Sequence, residues 1–124
     1  MRIFFLITTM LLLAACGPTT VTQTNRTERY TVEMLIDGTK VGQRTIGINI
    51  TDRDGKPVQA DVVVVAPVML EMGMASPEMP ATATAPGRYE ARGEPFSMLG
   101  KWQIDVRITA GGIEDKTTFM VEIT

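Results

Sequence analysis

Two antiparallel β-sheets packed face to face are what this sequence predicts, and three features predict them. Apolar residues recur at every second position in several separate runs, Gly, Asp and Pro punctuate the intervals, and no stretch carries the period of a helix. At 124 residues and 44% hydrophobic content the chain has room for one domain with one core, and not for a second. Tyr30, Val32, Met34 and Ile36 form the first run and Ile46, Ile48 and Ile50 the second. Between them Asp37-Gly38 supplies the positive φ angles of a tight hairpin turn. Asp52 to Pro57 makes the next turn, with Gly55 permissive and Pro57 fixing the exit. The acids at Asp52 and Asp54 fall short of a calcium loop, because Lys56 takes the next ligand position and no glutamate closes the loop.

Val62 to Val65 is a β-branched run apolar on both faces, which predicts a central strand. Val68 to Met74 is expected to continue as a strand. The segment from Ser76 to Gly87 is punctuated by proline and excludes a helix, leaving its later part for a short edge strand. Arg88 to Ala91 reads as a short strand, and Trp102, Ile104, Val106 and Ile108 form the clearest amphipathic one, with Trp102 on the buried face. Ala110-Gly111-Gly112 turns the chain into a last strand through Phe119, Val121 and Ile123. About seven short strands of this kind predict an all-β, immunoglobulin-like antiparallel sandwich.

Before that domain, Met1-Arg2, an apolar run from Ile3 to Leu13, and Ala14-Ala15 before Cys16 have the order of a secretory signal. The run of about a dozen apolar residues is short for a bilayer span, which needs roughly 20. Leu13-Ala14-Ala15-Cys16 also resembles the lipobox of bacterial lipoproteins, whose cysteine is acylated. The expected organisation is therefore a signal peptide at 1–15, a lipidated Cys16 with a flexible, polar tether through 28, and the sandwich at 29–124. Such a protein sits in the cell envelope, held on a membrane by its lipid and facing the periplasm or the cell exterior. Cys16 is the single cysteine, so neither an internal disulfide nor a zinc thiolate site can form. The sequons at Asn25 and Asn49 are read as chance in that bacterial context.

Composition also excludes chemistry. There is no histidine, the acids are spread over turns and outward strand positions, and Ser76 and Ser97 have no base in motif spacing. An enzyme is not expected. Twelve basic against fourteen acidic residues give no cationic surface for a nucleic-acid backbone. What stands out is sulfur: Met69, Met72, Met74, Met79 and Met98 fall within one window, in segments without helical period. Thioethers are soft, uncharged donors that suit Cu(I), and they are equally a pliable filling for irregular cores. In a continuous strand Met72 and Met74 share a face; Met79 and Met98 are placed to fold back to the same end. Met34 and Met120 belong instead to strand positions, and Trp102 to the core. Glu71 and Glu78 are a candidate negative rim, or merely solvated.

The segments Met69-Leu70-Glu71-Met72-Gly73-Met74, Pro86-Gly87-Arg88-Tyr89-Glu90-Ala91 and Phe96-Ser97-Met98-Leu99-Gly100-Lys101-Trp102, preceded by Gly55-Lys56-Pro57-Val58 and Ala60-Asp61-Val62, resemble the YtkA-like domain. The order and spacing of MxxMGM, PGRYEA and FxMxGxW carry the resemblance, from about Val41 to Val121. It implies a small immunoglobulin-like sandwich outside the cytoplasmic membrane, architecturally related to CopC-like copper carriers and associated with copper handling, metal efflux or oxidase assembly. By that resemblance Met72, Met74 and Met98 are the implied metal ligands, with Met69 and Met79 behind them. Many members place histidines near the methionines, and this chain has none. The implied ion is then Cu(I) held by thioethers alone, with a metal-transport or oxidase-assembly protein as partner. The alternative is a sandwich that carries no metal and uses its methionine-rich edge to dock a membrane partner such as an efflux or oxidase component.

Overall fold

Ten strands account for most of residues 20–124, the part of the chain that the computed structural model describes. The segment expected to be a signal peptide at 1–15, Cys16 and the start of the expected tether lie outside the described residues. In chain order the strands are β1 (Val21–Arg26), β2 (Tyr30–Ile36), β3 (Gly42–Asp52), β4 (Val62–Met69), β5 (Met74–Ala75), β6 (Met79–Pro80), β7 (Thr82–Ala85), β8 (Arg88–Phe96), β9 (Gly100–Ala110) and β10 (Ile113–Ile123). One sheet has the order β1-β2-β3-β8-β7, and the other β10-β9-β4-β5 with β6 also paired to β4. Every pairing is antiparallel. The predicted sandwich is therefore observed.

The alternation that marks each run also fills the space between the sheets. Val32, Met34, Ile36, Ile46, Ile48 and Ile50 from one sheet meet Val63, Val65, Trp102, Ile104, Val106, Ile108, Phe119 and Val121 from the other in one buried cluster. Burial of side chains of this size contributes roughly 1.5–3 kcal/mol each, which is what holds two otherwise independent sheets together. Phe96 packs edge-to-face on Trp102, ring centroids 5.6 Å apart. Tyr89 reaches from β8 to the irregular segment before β4, accepting from the Ala60 amide (2.7 Å) and donating to the Val58 carbonyl (2.9 Å).

Several expectations need correction. Residues 21–26, expected within a tether, form β1: their backbone pairs with β2, and Gln23 and Asn25 donate across to carbonyls of β10. Asp37-Gly38 is not a two-residue turn, because the pairing closes at Ile36–Ile46 and a longer loop spans residues 37–41. The Asp37 carboxylate accepts the Thr45 amide there, at 3.1 Å. Val62 to Val65 does lie inside a sheet, yet only Val63 and Val65 are buried; Val62 is exposed. β8 runs nine residues rather than four. The turn at Asp52 forms as expected, its carboxylate accepting the amides of Asp54 and Lys56. Gly111 and Gly112, both at positive φ, make the tight β9–β10 hairpin.

A methionine-bearing tip as candidate functional site

The strands leave two ends to the sandwich, and the methionine window occupies one of them. β4 arrives there at Met69, and the chain does not continue as a strand: Leu70–Met72 form a single 3-10 turn, and Gly73 takes the left-handed conformation. The Gly73 amide returns to the Leu70 carbonyl (3.1 Å), and β5 runs back along β4 with Met74 opposite Met69. The expected shared face of Met72 and Met74 in a continuous strand is thus replaced by a reversal at Gly73. β8 reaches the same end at Phe96, and residues 97–99 carry the chain to β9 in the other sheet. The loop at 37–41 and the Thr124 amide, bonded to the Thr39 carbonyl at 2.9 Å, complete this tip.

Both site loops are fixed from beneath. The fully buried Trp102 donates its indole N–H to the Met98 carbonyl (3.0 Å), so the core residue also sets the loop that bears Met98. Ser76 follows β5, its amide bonded to the Pro67 carbonyl (3.0 Å) and its hydroxyl to the Pro95 carbonyl (2.7 Å). That one residue ties the returning segment to both sheets.

The five methionines divide. Met72 is 58% exposed and Met74 36%, while Met98 is half-buried against the core beneath them. Met69 is only 3% exposed and packs its terminal methyl onto Gly100, where a Cβ would lie 3.0 Å away. Met79, on β6, is buried as well and pairs with Val65 of β4, four residues or about 13 Å along that strand from Met69. Its sulfur rests on Gly93 of β8. Met72, Met74 and Met98 are therefore brought to one end with Met69 underneath, and Met79 is a core residue on the flank. Met34 is fully buried and Met120 exposed on its strand, as their positions suggested.

Glu71 is exposed on the turn at the tip, but Glu78 is committed elsewhere. Arg107 grips it with two hydrogen bonds of 2.8 and 2.7 Å. Those bonds hold the Glu78 carboxyl below the ordinary glutamate range, with the guanidinium charge adding a smaller pull. Among the described residues no group of three or more His, Cys, Asp or Glu side chains gathers as a metal site. An open groove of about 490 Å³ lies at the opposite end, lined by Pro57, Gln59, Tyr89 and the 83–87 turn, and it takes in no methionine.

Sequence reasoning passed over the side chains between the methionines. Leu70 is 64% exposed and Leu99 60%, and Val41 joins them from the third loop. Part of the signal was available: in the strand expected over Val68 to Met74, Leu70 shares the face of Met72 and Met74, and Leu99 sits just before Gly100 outside any alternating run.

No helix among the described residues is long and apolar enough to cross a membrane. Comparison with curated proteins and with solved structures gives no match. A model of the YtkA-like family matches residues 24–107. That span takes in the loops at 37–41, 70–74 and 97–99 together with the strands that carry them, and by it the chain belongs to the YtkA-like family.

Proposed function

We propose that this protein is an extracytoplasmic, lipid-anchored Cu(I)-binding protein that holds the metal through Met72, Met74 and Met98 and passes it to a membrane partner by ligand exchange. One observation supports the reading: the segment bearing Met72 and Met74 and the loop bearing Met98, separated in sequence by β6, β7 and β8, lie at the same end of the sandwich, with Met72 and Met74 exposed there. Neutral sulfur donors suit a soft monovalent cation that accepts low coordination numbers. Two exposed donors and one half-buried donor would bind reversibly, as a carrier requires, because the metal is never sealed from an incoming ligand. Met69 supports the set from below and Met79 takes no part in it. Membership of the YtkA-like family supports the extracytoplasmic placement, and Cys16 in its lipobox-like context supports the anchor.

Cu(I) titration against a chromophoric competitor tests this directly. The expected result is one Cu(I) bound per chain, with no comparable affinity for Cu(II) or Zn(II). The double substitution Met72→Leu and Met98→Leu is expected to abolish binding while the fold survives. Retained binding in that variant, or none in the parent chain, would remove the reading. The second reading, a metal-free module that docks a membrane protein, draws on Leu70 and Leu99. Their exposed side chains are apolar surface that a metal site does not use.

A further inference from the structure

We propose that the methionine-bearing tip rests on the lipid surface that anchors the chain, with Leu70 and Leu99 as its contact side chains. The inference depends on the reading of Cys16 as the lipidated residue, and three observations carry it. First, the chain enters the fold at this end. Val21 pairs with Ile36 beside the 37–41 loop, so β1 starts at the tip and runs away from it. Five Cα–Cα steps lead from Cys16 to Val21, across four intervening residues. Fully extended they reach at most about 18 Å. The eleven-residue strand β9 is about 36 Å long, twice that reach. An acylated Cys16 thus holds this end of the sandwich near the bilayer and leaves the other end distant.

Second, exposed apolar residues concentrate at that same end. Val41, Leu70, Met72, Met74 and Leu99 belong to its three loops; Val62 and Ile113 lie at the far end, and Met120 is on the outer face of β10. Leu70 follows β4 and Leu99 lies in the 97–99 crossing between the sheets, so the two exposed leucines come from separate loops and not from one strand face. Third, the charges around the tip balance. Lys101 lies opposite Glu122 across the strands, Asp37 sits 3.7 Å from Arg44, and Lys40 and Glu71 add one charge of each sign on two of the loops. The contact is therefore apolar, without a basic cluster to read anionic headgroups, and is expected to be insensitive to salt. A metal held by Met72, Met74 and Met98 would then lie at the membrane surface, level with the mouth of a membrane-embedded partner.

The test uses the full acylated chain in vesicles of phosphatidylethanolamine and phosphatidylglycerol. Acylation blocks Cys16, so Leu99→Cys and Ile113→Cys each provide one thiol for an environment-sensitive fluorophore. The label at position 99 is expected to shift to shorter wavelength and to be quenched by nitroxide-bearing lipids, equally at low and high salt. The label at position 113 should remain accessible to aqueous iodide. Equal iodide access at both positions, with the protein still on the vesicles, overturns the proposal and leaves the anchor standing. A label at position 99 that turns dry only in native membranes also overturns it, in favour of a protein partner. A freely reactive Cys16 thiol in the parent chain removes the anchor itself, and is read before either label.

Discussion

Met69 and Met72 stand three residues apart and meet opposite environments, which makes them the sharpest contrast in the molecule. Met69 ends a strand with its side chain over Gly100 inside the core, whereas Met72 sits on a turn in solvent. Met69→Ala would remove a buried side chain from a site already tight against backbone, and is expected to cost about 2–5 kcal/mol. Met72→Ala removes little that is packed and should stay within about 0.5 kcal/mol of the parent. Urea unfolding of the two variants checks this, and equal losses would show that Met72 is a packing residue. The candidate donors could be named from residue types alone, since the chain has methionines and no histidine. Which of five methionines belong to the site could not. Met79 and Met72 look alike as letters; they differ because one lies opposite the core-facing Val65 and the other on a reversal that only Gly73 permits.

Strands were readable in sequence wherever one face is wholly apolar, and less so wherever polar side chains find partners inside the fold. β2, β3, β9 and β10 announce themselves by period two, and the β9–β10 turn by its paired glycines. β8 was cut short because Arg92, Gly93 and Glu94 interrupt the pattern, although the backbone pairing with β3 continues through them with a bulge near Gly42 and Arg44. Turns separate in the same way by what surrounds them. Gly87 lies at φ 71°, and a Cβ there would meet the Ile50 carbonyl oxygen and the Pro57 Cβ, each at 2.8 Å. The same close approach lets the Ile50 amide donate to the Gly87 carbonyl at 2.8 Å, tying β3 to the β7–β8 turn. Gly111 has a similar φ of 59° with open space around it. Gly111→Ala is therefore expected to cost about 1 kcal/mol from backbone strain alone. Gly87→Ala should cost clearly more, because strain and overlap add. Melting temperatures of the two variants side by side decide it, and equal shifts would mean that the Ile50 and Pro57 backbone yields.

The sandwich is closed along one flank by side chains where backbone pairing is unavailable, and this makes β1 part of the folded body. β1 lies at the edge of one sheet and β10 at the edge of the other. Gln23 donates to the Met120 carbonyl (2.6 Å) and Asn25 to the Thr118 carbonyl (2.5 Å), filling the outer acceptors of β10. Arg29 continues the seam with Asp115 at 3.6 Å. The polar sequence Val-Thr-Gln-Thr-Asn-Arg reads as a tether because two of its three inward residues, Gln23 and Asn25, are amides and only Val21 is a hydrocarbon; the amides' partners are backbone oxygens that no sequence pattern displays. A chain begun at residue 29, the boundary that sequence suggests, would free the edge of β2 and leave those β10 carbonyls to water. Each lost hydrogen bond is worth about 1 kcal/mol, and an uncovered strand edge invites pairing between molecules. The shortened chain is expected to melt below one begun at residue 20 and to self-associate. In the longer chain the β1 amides bonded to β2 should exchange slowly with deuterium. Equal melting temperatures and a monomeric shortened chain would return residues 21–28 to the role of a spacer. The chain between Cys16 and the first strand would then be nearly three times as long as the present fold allows.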